Sequence, residues 1–174
     1  MATQPLAFSR AELTAIVFKA GRGAGLPLGH AEDLGRALGR HGGAAAFDAL
    51  LRSLKAPWTE IEMHRDGTTL TIAKARAIQA LCHVPEALHS GVTRVTLRDL
   101  DEPTLIDCYL HGTSVATTRE GADWHFALSE TASQASGGMP RADQIASLDE
   151  YAANTYVPAT DASRSGAGQG ADQD

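Results

Sequence analysis

Three residues in the second half of the chain have the types that a nucleophilic site needs: Cys108, His111 and His125. A thiol attacks as its thiolate, an imidazole takes the proton, and a carboxylate such as Asp107 or Asp123 orients the imidazole. Cys108 and His111 with the distant His125 also resemble part of a zinc site, as do Cys82, His83 and His89. Neither group supplies four ligands at a recognisable spacing, so the sequence assigns no metal site and implies no cofactor. His30 and His41 share one helical stripe, but eleven residues at about 1.5 Å rise set them roughly 16 Å apart, too far for one ion. Cys82 falls on an apolar stripe, where a free thiol behaves as a small hydrophobe. Read as part of a strand over 104–110, Cys108 and Tyr109 face opposite ways and only one can meet a site.

A second chemistry is anion binding at Arg22, Gly23 and Gly25. Glycines let successive N–H groups point inward, and Arg22 adds a fork of donors. The segment neither follows a strand nor has phosphate-loop spacing, and a glycine-terminated helix with basic residues in its last turn explains it without a ligand. A third possibility is the C-terminal tail, where Tyr156 and Pro158 would dock on a partner and Arg164, Asp172 and Asp174 would supply polar contacts.

The elements that must position these groups are read from periodicity. Ser9 and Glu12 form a capping box, and Phe8 and Leu13 a hydrophobic staple, so the first helix begins there with Leu13, Ile16, Val17 and Ala20 on one face. Ala31, Leu34, Ala37 and Leu38 predict a second helix after Pro27, and Phe47, Leu50, Leu51 and Leu54 a third that ends before Pro57. Beyond that the period changes to two. Ile61 and Met63, then Leu70 and Ile72, flank Asp66-Gly67, which as a type I′ loop places Met63 opposite Leu70 and Ile61 opposite Ile72. A helix follows over 74–83, interrupted by Pro85. Strands are predicted at 92–97 and 104–110, and a second hairpin at 115–128 puts Trp124, Phe126 and Leu128 on one side. Residues 129–140 have linker composition, and Ile145, Leu148, Tyr151 and Ala152 predict a last helix over 141–153.

The expected fold is α+β, with a three-helix unit (9–55) packed on an antiparallel sheet of hairpins (58–128), a late helix, and one domain over 1–158. Residues 159–174 carry too little apolar surface to offset about 1 to 2 kcal/mol of backbone entropy each and are expected to be a flexible tail.

Two segments resemble an uncharacterised bacterial family: Lys19-Ala-Gly-Arg-Gly-Ala-Gly25 running on to Ala31-Glu-Asp33, and Thr155-Tyr-Val-Pro-Ala-Thr-Asp-Ala-Ser-Arg164 with the Gly-Ala-Gly and Asp-x-Asp ending. The sequence departs from that pattern at Leu28, where the family has an aromatic, and at Gln173, where it has Asn. The resemblance implies a bacterial origin and a tail that matters; it implies no substrate and no catalytic residue.

Composition narrows the classes further. The net charge is −6 with no basic run, which argues against nucleic acid and an anionic membrane surface as partners. Two cysteines are too few for a disulfide framework and suit a reducing compartment; with no signal peptide visible, the expected location is the cytoplasm. With no complete catalytic motif, the reading is an accessory protein that binds another protein. Its rival is a small enzyme or metabolite-binding domain using Cys108, His111 and His125 or the Arg22–Gly25 turn.

Overall fold

Ser9 starts the first helix as its spacing to Glu12 dictates. The Ser9 hydroxyl accepts from the Glu12 amide at 3.2 Å, and the Glu12 carboxylate accepts from the Ser9 amide at 2.7 Å. In the computed structural model, which describes residues 8–55, 61–132 and 138–155, this helix (α1) spans Arg10–Gly23. Phe8 packs on the core and Leu13 is buried. Helices α2 (Leu28–His41) and α3 (Ala44–Lys55) complete the expected three-helix unit. The glycines of α2 have a packing reason: a Cβ at Gly39 would overlap the backbone of Thr14, so α1 and α2 cross closely there.

Strands β1 (Glu62–Asp66) and β2 (Thr69–Ala73) form the first hairpin with a register two residues away from the expected one. Met63 pairs with Ile72 and Arg65 with Leu70, because the loop is Gly67-Thr68 rather than Asp66-Gly67. Gly67 has φ +57, whereas Asp66 stays in the strand, so the turn puts only a glycine in the left-handed region. A shift of two preserves parity, and Ile61, Met63, Leu70 and Ile72 still share a face. Met63 nevertheless remains 51% exposed, since β1 is an edge strand.

After β2 the chain departs from the sequence-based reading. Lys74, at φ 52, turns it away, and the expected helix over 74–83 is instead two short ones, α4 (Ala77–Ala80) and α5 (His83–His89). Pro85 lies in the first turn of α5, where its missing N–H has no helical partner to lose, so it fits rather than interrupts. This crossover returns the chain to β3 (Arg94–Leu97), which pairs parallel to β2. The predicted strand over 104–110 is helical: a 3₁₀ turn at Pro103–Leu105 leads into α6 (Ile106–Leu110). Pro103 pre-sets the first turn, and Leu105, Ile106, Cys108 and Leu110 are buried together. The second hairpin forms as read, with β4 (Val115–Glu120) and β5 (Asp123–Leu128), and α7 spans Ala142–Ala153.

The fold is therefore α+β, with sheet order β1-β2-β3-β5-β4 and every pairing antiparallel except β2 with β3. Val95, Leu97 and Phe126 are fully buried on one face against a cluster that also holds Leu34, Phe47, Leu50, Leu81 and Leu148. Thr71, Thr96, His125 and Thr118 form a polar row on the other face. No helix among the described residues is long and apolar enough to cross a membrane. The tail residues Tyr156, Pro158, Arg164, Asp172 and Asp174 lie outside the described residues.

Candidate functional site

Helix α2 is apolar toward the core through Ala31, Leu34 and Leu38, and its neighbouring face presents Asp33, Arg36, Arg40 and His41. Opposite that face lie Cys82 at the α4–α5 junction, Glu86 of α5, and Cys108, Tyr109 and His111 at α6. Together they enclose a cleft of about 390 Å³. A wider groove of about 630 Å³ between α1 and α2 carries Arg10 and Phe18 but no imidazole or thiol.

Two of the three sequence candidates meet in the cleft. The Cys108 thiol points at the His41 carbonyl, 3.7 Å away, and the His111 ring faces the His41 ring with centroids 3.6 Å apart. His125 does not join them. It stands on the polar face of the sheet, 3.0 Å from the Thr96 hydroxyl and 3.4 Å from the Glu120 carboxylate, in a separate depression of about 260 Å³. Asp123 beside it pairs with Arg98 at 3.7 Å. The expectation that Cys108 and Tyr109 alternate across a strand gives way to one helical turn on which both line the cleft.

Electrostatics keep both free thiols protonated. Burial, reinforced by Asp107, pushes Cys108 up to about 11, and burial with Asp33 pushes Cys82 up to about 12. Burial also lowers His41, aided by His111, Arg10 and Arg40, so the His41 imidazole favours the neutral state. The Tyr109 hydroxyl at the cleft is buried and has no hydrogen-bond partner among the described residues.

The Arg22–Gly25 turn is occupied by its own helix end. Arg22 Nη1 donates to the Leu26 carbonyl at 2.6 Å, the Leu26 amide returns to the Gly21 carbonyl at 2.9 Å, and Gly25 takes φ +91. A Cβ at Gly23 would overlap the carbonyl of Tyr151, so this glycine seats the end of α7 on α1.

One group was invisible in the sequence. His30 of α2 and Cys82-His83 lie 52 positions apart, yet the fold brings one donor atom of each within 4.8 Å of the others. All three are half-buried, and the two imidazoles meet edge-on with centroids 5.3 Å apart. The adjacency of Cys82 and His83 was the available signal; nothing local pointed to His30. Compared with protein families, with curated proteins and with solved structures, the chain gives no match.

Proposed function

We propose that this chain is a bacterial, cytoplasmic accessory protein that binds another protein at the corner shared by α1, α2 and the end of α7. The observation that supports this is the seat of Tyr151 against Gly23. It sets the end of α7, which leads into the second of the two segments that resemble the uncharacterised family, against the first, 19–25. Thr155 ends the described stretch one turn beyond that seat, where its hydroxyl donates to the Ala152 carbonyl at 2.6 Å. Leu28, which opens α2 just after the Arg22–Leu26 turn, is 57% exposed. An exposed large apolar side chain, together with a polar C-terminal sequence of small residues, would offer a partner one apolar anchor and an adaptable strand of contacts. The raised thiols, and His125 lying apart from Cys108, favour this reading over nucleophilic catalysis.

Native mass spectrometry of the chain isolated from its host tests it. A partner chain should accompany the full-length protein and be lost both on deletion of 156–174 and in Leu28→Glu, with the melting temperature nearly unchanged. Binding that survives both changes rejects the corner. A second reading, a small-molecule site in the α2–α5–α6 cleft, is favoured by the unpartnered Tyr109 hydroxyl. The same spectrum would then show a metabolite-sized mass on the monomer.

A further inference from the structure

We propose that His30, Cys82 and His83 form a binding site for a zinc-class divalent ion, with the fourth coordination position left to water or to a small molecule in the adjoining cleft. The three donors have the chemistry this ion selects, one thiolate and two imidazoles. Zinc–nitrogen bonds of about 2.0 Å and a zinc–sulfur bond of about 2.3 Å, set tetrahedrally, place donors roughly 3.3 to 3.5 Å apart. The donors here lie within 4.8 Å of one another, so closing on an ion asks the side chains to approach by roughly an ångström. The half-buried position shields such an ion from bulk water, which distinguishes the cluster from surface histidines that meet by chance.

Groups around the cluster suit an ion. His30 has a hydrogen bond to the Gln79 backbone, an outer contact that orients the ring. The Tyr109 hydroxyl, buried and unpartnered, lines the same cleft as Cys82 and is sensitive to its charge. Asp33, which also lines the cleft, adds negative charge that favours a cation.

Binding exchanges a proton for the ion. The Cys82 S–H bond breaks, its proton goes to solvent, and the sulfur lone pair bonds the metal; His30 and His83 bind as neutral imidazoles. The hydrogen bond that Cys82 Sγ now donates to the Gln79 carbonyl, at 3.0 Å, is given up.

Cobalt titration of the metal-free full-length chain reads this directly. One equivalent of Co²⁺ should give the intense visible bands of a tetrahedral site with a near-ultraviolet thiolate-to-cobalt charge-transfer band, displaced by Zn²⁺. The charge-transfer band should persist in Cys108→Ser and vanish in Cys82→Ser. His30→Ala and His83→Ala should each weaken Zn²⁺ binding by at least about 100-fold while leaving the far-ultraviolet circular dichroism unchanged. Calorimetry at pH 8 in two buffers should count one proton released per ion. A wild-type chain without the charge-transfer band, or a band that survives Cys82→Ser, overturns the proposal; the wild-type result stands whether or not any variant folds.

Discussion

Helix α2 borders two regions of opposite character. At the α1–α2–α7 corner, contact is made by absence: Gly39 lets α2 lie against Thr14, and Gly23 lets the Tyr151 carbonyl sit where a Cβ would be. Across α2, the cleft toward α5 and α6 is built from side chains that carry chemistry, two cysteines, a stacked pair of imidazoles and an unpaired phenol. At those two glycines the first region tolerates no added atom. The second is open and keeps polar groups that a packed core would have replaced. Backbone closeness fixes where the helices stand, and the chemistry is arranged on faces that this closeness leaves uncovered.

The sharpest way to break that contrast is Gly23→Ala. The added methyl meets backbone rather than a movable side chain, so α7 must shift off α1. The cost expected in denaturant unfolding is about 3 kcal/mol or more. A cleft substitution such as His111→Ala should cost under about 1 kcal/mol, because the cleft is already open. Equal costs at the two positions would erase the distinction.

Thiol reactivity gives the next largest effect. With Cys108 pushed to about 11 and Cys82 to about 12, against an ordinary 9.0, the thiolate fraction of each at pH 8 falls by roughly 100-fold or more. Iodoacetamide should therefore modify the native metal-free chain at least about 100-fold more slowly than the denatured one. Rapid alkylation of Cys108 in the native chain would restore the nucleophile reading that the geometry disfavours.

The same contrast explains what the sequence could show. The capping box at Ser9 and Glu12, the stripe of α2 and the parity of both hairpins depend on residues a few positions apart, and they are legible. Leu105, Ile106 and Leu110 are not, because a short, mostly apolar stretch broken only by Asp107 fits a strand or a helix equally until tertiary packing chooses. The parallel pairing of β2 with β3 depends on how the α4–α5 crossover packs. For the candidate site, Cys108 and His111 were found as a local pair, whereas His125 was attached to them only by residue type. His30 with Cys82-His83 needed the fold itself, since long-range proximity leaves no trace in spacing.

The smallest expected effect is a pH dependence that belongs to the cleft and not to the corner. His41 and His30 are both held below the ordinary 6.5, chiefly by burial and next by a neighbouring imidazole, His111 for the one and His83 for the other. A base whose folded pKa is depressed binds fewer protons folded than unfolded between the two values, so stability falls as pH drops through 6.5 toward the folded pKa. Above pH 5 this window is separate from acid unfolding through Glu12 and Asp48, whose hydrogen bonds from Ser9 and from Arg141 hold them below their ordinary 4.5 and 3.8. Denaturant midpoints of the metal-free chain should decline between pH 7.5 and pH 5.5, and His41→Gln should flatten part of that decline, because glutamine takes up no proton. If His41→Gln leaves the slope untouched while Gly23→Ala changes it, the titrating element lies at the corner, and the division between a silent packed region and a responsive open one is lost.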